Sequence, residues 1–227
     1  MLTLLTATGC RPKAWALCER LMLAQDYHGA VRWLIVDDGQ EAQPITFDRA
    51  GWTLEVIRPS PRWSQGMNSQ SRNLRAGLAH ICDGERVALI EDDDHYSQGW
   101  LSAVESAFEL AELIGESRAR YYNVALRKGR QLCNKEHASL CSTAVRGKAL
   151  KLFREVCAER HDFIDMQLWK RFDGSTALFT GNRVTGIKGL PGRSGIGMGH
   201  KDTFRGEDDP NGALLRSWIG SDAELYL

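Results

Sequence analysis

The 227-residue sequence carries no excess of charge of either sign, with Lys plus Arg and Asp plus Glu at 29 each. No global field therefore draws the molecule onto nucleic acid or an anionic membrane, and a charged partner has to be met by a local patch. No apolar run approaches the ~18 residues that cross a bilayer, so no integral membrane segment is expected. The six cysteines (Cys10, Cys18, Cys82, Cys133, Cys141 and Cys157) form no C-x-x-C pair and lie mostly in apolar stretches, as reduced, buried thiols do. Internal repeats, low-complexity tracts and an interdomain linker are also missing. The opening MLTLLTATGC has no basic start and reads as a first strand rather than a secretory signal, which makes the cytoplasm the expected location.

What is present is ordinary globular composition, 43% apolar and 26% charged, in a length suited to one large α/β domain or two small ones. Leu2–Thr8 predicts a strand, after which Arg11-Pro12 opens a helical spacing at Ala14, Leu17, Cys18 and Leu21. Residues 31–36 predict a buried strand that ends in the turn-forming Asp37-Asp38-Gly39, and Trp52–Ile57 a third strand stopped by Pro59 and Pro61. Leu74, Leu78 and Ile81 share a helical face within 66–82, and the strand 86–90 then runs straight into Glu91-Asp92-Asp93-Asp94. Leu101, Val104, Phe108, Ala111 and Ile114 continue at helical spacing, with Ser97 as the cap. This alternation predicts a largely parallel sheet with helices on its faces. Beyond Ser117, strand-like pieces at 120–126 and 139–145 and helical stretches at 148–158 and 162–172 predict an antiparallel or mixed extension of the same sheet. Six glycines within 186–199 predict a mobile or closely approached loop.

Two of the early strands end in acidic clusters, and in open α/β sheets ligands bind outside the carboxyl ends of the strands, so the clusters share one rim. Consecutive carboxylates repel one another unless a cation or hydrogen bonds compensate them. Asp92-Asp93-Asp94 is therefore a candidate metal site, with a solvated turn as the alternative. The cluster alone does not separate a transferase from a phosphatase or a nuclease.

The order of the pieces narrows the choice. A strand followed by Arg11-Pro12, Val36-Asp37-Asp38-Gly39 at the end of the second strand, Gly66 and then Ser71-Arg72-Asn73 opening a helix, Asp83-Gly84-Glu85 before a strand and Ile90 to Tyr96 (IEDDDHY) after it resemble the inverting GT-A glycosyltransferases of family 2. The resemblance covers roughly residues 2–101. It extends more weakly to Asp165-Met166-Gln167-Leu168-Trp169-Lys170-Arg171, similar to the acidic motif that precedes a Leu-Trp-x-Arg helix there, and to His200. It implies an α/β, GT-A-like (Rossmann-related) mixed sheet, parallel in the first half and flanked by helices. A single domain over 1–227 would hold the nucleotide sugar in about 1–101 and the acceptor in about 117–227.

The implied reaction moves a sugar from a nucleotide-diphosphate donor, a UDP-sugar first of all, to a hydroxyl acceptor with inversion, with Mn²⁺ or Mg²⁺ bridging the phosphates. Asp92 and Asp94 match the D-x-D motif, Asp94 as the more direct ligand. Glu91 and Asp93 form an overlapping acidic pair, Asp93 on the donor side, and His200 falls where the fold often brings a histidine to the metal. Asp37 or Asp38 would accept hydrogen bonds from the base or ribose. Thr6, Thr8 and Arg11 would line the same pocket, and Arg72 would neutralise the diphosphate or hold the carboxylates. Asp165, with Asp162 as competitor, would take the acceptor proton. The sequence departs from the family at Cys10, where asparagine is frequent, at Gln40, where serine is, and in its extra acidic residue.

The acceptor leaves one compositional trace. Residues 117–151 hold nine basic residues (Arg118, Arg120, Arg127, Lys128, Arg130, Lys135, Arg146, Lys148 and Lys151) against Glu136 alone, a net of +8. A patch there would meet a polyanion, either DNA carrying hydroxymethylated bases, as in phage-type enzymes, or a phosphorylated glycan. The competing classes are a nucleotidyltransferase and a non-catalytic nucleotide-sugar or nucleic-acid binding module. GIGMGHKD is no P-loop, because Asp202 stands where Ser or Thr is required.

Overall fold

The computed structural model describes residues 1–159, 163–195 and 197–227. Asp162 lies outside them. A seven-stranded sheet forms the centre, in the order β10-β6-β9-β4-β1-β2-β3. Its strands are β1 (Leu2–Thr8), β2 (Val31–Asp37), β3 (Trp52–Ile57), β4 (Arg86–Leu89), β6 (Leu113–Glu116), β9 (Thr143–Val145) and β10 (Thr176–Phe179). β3, β2, β1 and β4 run parallel, as expected from the alternation, and β10 runs parallel to β6. β9 alone runs antiparallel to both its neighbours.

Strands buried on both faces read as continuous apolar runs, and the two faces of this sheet carry separate cores. On one, helices α1 (Pro12–Leu23) and α3 (Trp100–Ala107) pack Trp15, Cys18, Leu21, Leu101 and Val104 against Leu4, Trp33 and Ile35. On the other, α2 (Gln70–Leu78), α4 (Gly147–Glu159) and α5 (Ile164–Arg171) cover Leu5, Leu34, Val36 and Leu89. Fully burying an aliphatic side chain of this kind contributes about 1.5–3 kcal/mol. Pro12 stands at the first turn of α1, where its missing N–H costs nothing.

A second, five-stranded sheet has the order β12-β8-β7-β11-β5, from β5 (His95–Tyr96), β7 (Arg120–Asn123), β8 (Lys128–Gln131), β11 (Val184–Lys188) and β12 (Glu207–Asp208). The short helix α6 (Ala213–Ile219) packs Leu215 and Ile219 against Tyr122 and Ile187 of this sheet.

The structure corrects several expectations. The second half does not simply extend the first sheet: β6, β9 and β10 join it, and the remainder builds the second. Ile114, expected on a helix, is a buried residue of β6, because a fully buried strand carries the same apolar density as a helix face. Gly99, not Ser97, precedes the first turn of α3. Gly186 lies within β11 rather than in a loop. Three cysteines (Cys18, Cys141 and Cys157) are buried, but Cys82 and Cys133 are exposed.

Candidate active site

The carboxyl ends of β1 and β4 open on one cleft of about 1100 Å³. Its walls include Thr8 and Arg11 after β1, Ser69 and Asn73 around the start of α2, and Glu91, Asp92 and Asp93 after β4. From the second half come Tyr121, Lys188, Arg193, His200 and, at the start of α5, Asp165. The chain passes from β1 into α1 through Gly9, whose φ of +143° is a region that L side chains avoid. A Cβ there would stand 2.4 Å from Asp38 Oδ1, so glycine lets the β1 and β2 ends approach this closely.

The acidic block is compensated from within. Asp92 accepts hydrogen bonds from Thr8 Oγ1 at 2.7 Å and Arg11 Nη1 at 2.5 Å, and Arg11 Nη2 pairs with Asp93. Lys188 Nζ stands 2.7 Å from Asp94 Oδ1, 3.8 Å from Asp93 Oδ1 and 4.0 Å from Glu91 Oε2. Asp94 Oδ1 also accepts the Ile187 N–H at 2.8 Å, and Glu91 Oε1 accepts Gln70 Nε2 at 2.9 Å. Burial pushes Asp92 up to about 6 against the pull of Arg11. It also raises Asp94 and Glu91, against the pull of Lys188. For Asp93 burial is outweighed by Arg11, Lys188 and His200, and its carboxyl sits below the usual range. Burial alone would discharge Lys188, yet Asp93, Asp94 and Glu91 hold it protonated well above the ordinary lysine value.

His200 Nε2 lies 3.6 Å from Asp93 Oδ2. Burial, aided by Lys188, lowers its pKa to about 4, so the imidazole is neutral at physiological pH.

The residues expected to ligate a metal are thus brought near one another but not as one cleft-facing set. Asp94, expected as the most direct ligand, is not among the residues lining the cleft. Both Asp92 oxygens are engaged by Thr8 and Arg11. Among the described residues one group of metal-ligating types lies close together, Glu91, Asp94 and Cys141 within 4.8 Å, and the Lys188 ammonium already contacts its Asp94. Burial, Asp94 and Glu91 push the Cys141 thiol well up, so it is neutral and a poor ligand for a hard cation. The donor set does not fit Mn²⁺ or Mg²⁺ in the expected way while Lys188 is in place.

Neither Asp37 nor Asp38, expected at the donor, is among the residues lining the cleft. Asp38 is fully buried behind the lining residues Ser69, Asn73 and Arg193, and accepts Ser69 Oγ at 2.5 Å, Asn73 Nδ2 at 2.7 Å, Arg72 Nη2 at 3.1 Å and Arg193 Nη1 at 2.5 Å. Burial opposes its charge, but Ser69, Asn73 and Arg193 outweigh it and lower its pKa. Asp37 is spent on its own loop, accepting the N–H groups of Gly39 and Gln43. Arg72 does hold a carboxylate, as expected, and it is that of Asp38. Thr6 is not brought to the cleft: it faces the α1 core and accepts Trp33 Nε1 at 2.9 Å.

Asp165 lines the cleft from the first turn of α5 and accepts the Met166 N–H at 2.9 Å. Burial raises its pKa, with His137 pulling the other way. Arg193 lines the cleft, reaches Asp38, donates to Ser69 Oγ at 2.7 Å and stacks 4.5 Å from the Trp63 ring centroid. Neither Arg193 nor Lys188 was indicated by the sequence, since the acidic partners of both lie far away along the chain.

Several basic residues of segment 117–151 have partners of their own. Arg120 stacks on Trp218, Arg127 donates to the Leu227 carbonyl, Lys128 pairs with Asp208 and Lys151 lies 3.8 Å from Asp83. Of its basic residues, Arg130 lines the cleft.

A mixed, helix-flanked sheet with its cleft at the strand ends is the GT-A-like α/β fold, a glycosyltransferase fold. Solved structures of S. aureus TarS share it. The fragment 1–349 matches at 14% identity with a TM-score of 0.55, over 82% of this chain and 60% of that one. TarS itself matches at 12% identity and 0.56, over 82% and 37%. The present chain therefore spans 60% or less of the length of these neighbours, and at such identities the likeness speaks for the fold alone. The TarS fragment has also been solved with UDP-GlcNAc, matching at 13% identity and a TM-score of 0.48. No protein-family model matches the chain, and no curated protein does. No helix among the described residues is long and apolar enough to cross a membrane.

Proposed function

We propose that this protein is a nucleotide-sugar glycosyltransferase that moves a sugar from a UDP-sugar to a hydroxyl acceptor with inversion at the anomeric carbon. The observation that carries the reading is the cleft of a GT-A-like fold. Arg11 and Lys188 line it beside the strand ends, and Asp165, at the start of α5, lines it too, with its pKa raised by burial. A diphosphate leaving group needs positive charge where its own negative charge develops, and an attacking hydroxyl needs a base.

In the reaction the acceptor oxygen bonds to the anomeric carbon as the bond from that carbon to the diphosphate oxygen breaks. The electron pair of the broken bond leaves with UDP, and Asp165 takes the hydroxyl proton. Asp38 and Ser69, now held by Arg193, are acceptors for the ribose or base once Arg193 moves aside. An anionic acceptor, whether DNA or a phosphorylated glycan, would enter over Arg130, Lys201 and Arg205 at the cleft wall.

The experiment is incubation with UDP-GlcNAc, UDP-glucose and UDP-galactose, following UDP release and the anomeric configuration of the product by NMR. Release of UDP with inversion is the expected result. Absence of turnover together with absence of any nucleotide-induced thermal shift would overturn the reading.

A further inference from the structure

Three carboxylates of the acidic block face Lys188, so that the group among them is an ammonium. Asp94 Oδ1, Asp93 Oδ1 and Glu91 Oε2 face Nζ at 2.7, 3.8 and 4.0 Å. Other oxygens of the same residues face other donors: Arg11 takes Asp93 Oδ2 and Gln70 takes Glu91 Oε1. Arg11 and Lys188 together bring the two positive charges that a divalent ion would bring. A Mn²⁺ or Mg²⁺ ion needs oxygens at about 2.0–2.2 Å and would share Asp94 with an ammonium already bonded to it.

The side chain is also held in place. Lys188 ends β11, which is paired on both sides, by β7 and by β5. Gly199 lies against its stem: a Cβ at 199 would come 2.8 Å from Lys188 Cγ, and Asn123 Nδ2 fixes the Gly199 carbonyl at 2.8 Å. An ammonium has three N–H donors. Asp94 takes one at hydrogen-bond distance, Asp93 and Glu91 stand beyond it, and Lys188 lines the cleft. Donors remain for a phosphate oxygen.

We propose that the Lys188 ammonium takes the place of the divalent cation in this protein, so that the diphosphate is held by Lys188 and Arg11 and donor binding is independent of divalent metal. This rests on the nucleotide-sugar reading and makes Lys188 a residue that contacts the leaving group. The requirement for positive charge at the diphosphate is met by the chain itself.

Calorimetric titration of the intact protein with UDP, in EDTA and again in Mn²⁺, tests the first part. The two affinities should agree within about threefold, a difference well under 1.4 kcal/mol. Titration with Mn²⁺ alone, with free Mn²⁺ followed by EPR, should show no stoichiometric uptake by the wild type. Lys188→Ala reverses both results: UDP affinity in EDTA falls at least about tenfold, as expected for loss of a charge-assisted contact, and Mn²⁺ is taken up by the vacated carboxylates. UDP binding that appears only with Mn²⁺, or stoichiometric Mn²⁺ uptake by the wild type, overturns the proposal and leaves the glycosyltransferase reading standing. Unchanged UDP binding by Lys188→Ala also overturns it. If UDP binds in neither condition, both readings fall. Because the wild-type titrations decide by themselves, the test holds even if the variant does not fold.

Discussion

Replacing Arg193 with alanine removes the contacts that tie this residue to Asp38, Ser69 and Trp63 at the cleft wall. The guanidinium donates to buried Asp38 at 2.5 Å and to Ser69 at 2.7 Å, and stacks on Trp63 at 4.5 Å, with its own side chain 16% exposed. A hydrogen bond onto a charged partner contributes about 1.5–3 kcal/mol and a neutral one about 1 kcal/mol. The cation–π contact adds about 0.5–2 kcal/mol, and ordering an arginine side chain offsets about 2 kcal/mol. The net of about 1–4 kcal/mol corresponds to a roughly 5- to 700-fold larger open population of the 189–200 segment in the variant. Proteinase K, which does not require arginine at the cut, reads that population when opening and closing are fast relative to cleavage. Cleavage within 189–200 should accelerate by that factor while the urea midpoint changes little, because Asp38 keeps Ser69, Asn73 and Arg72. Equal cleavage of wild type and variant would refute the reasoning, and Arg193 would then be a bystander on a segment held by other contacts. In the wild type, UDP should accelerate cutting if the nucleoside displaces Arg193, and slow it if the segment closes over bound donor.

Three further outcomes follow from the geometry. Asp165→Asn should lower the rate of sugar transfer at least about 100-fold while UDP affinity is kept; in the wild type the rate should fall with decreasing pH at a value above the ordinary aspartate pKa, because burial raises that of Asp165. Gly9→Ala should destabilise the fold by about 2–4 kcal/mol in urea titration, through backbone strain at φ +143° and the close contact with Asp38. The folded-state pKa of Asp38 is depressed, so its stabilising contribution is fully present above the unfolded aspartate value and is lost as pH falls through the folded one. The stability gap between wild type and Asp38→Asn should accordingly narrow on acidification, measured by urea unfolding at pH 6 and again below pH 4.

The first half of the chain was legible because each element announces itself locally. The run VRWLIV reads as a buried strand bounded by Asp37-Asp38-Gly39, and β2 ends at Asp37; Pro12 sits where a helix tolerates it. The acidic rim followed from the same logic, since parallel strands deliver their carboxyl ends to one side. The illegible parts depend on contacts distant in sequence. Lys188 and Arg193 both read as cations of the glycine-rich 186–199 loop until β11 brings Lys188 to Asp93 and Asp94 and Arg193 meets Asp38. Thr6 and Thr8 share a strand face, yet the face points into the α1 core, and only Thr8, at the last position of β1, reaches Asp92. The individual partners in the +8 segment were illegible too, because net charge along a chain does not say that Arg127 donates to the Leu227 carbonyl while Arg130 lines the cleft.

The single reversed strand has a consequence for how the protein is made. During synthesis β1, β2, β3 and β4 can assemble as they emerge, each joined to the next by a local connection. The outer edge of β4 then stays unpaired until β9, roughly fifty residues later, arrives to fill it, and β6 and β10 can be added only beyond β9. At ~5–20 residues per second of elongation that edge is bare for on the order of 3–10 s, with apolar Val87, Ala88 and Leu89 on it. A ribosome-bound chain stalled at Glu116 should therefore aggregate or recruit a chaperone, and one extended past Phe179, with β9 and β10 both in place, should not. The one antiparallel strand of this sheet is thus also what shields the β4 edge of the growing chain from pairing with its neighbours.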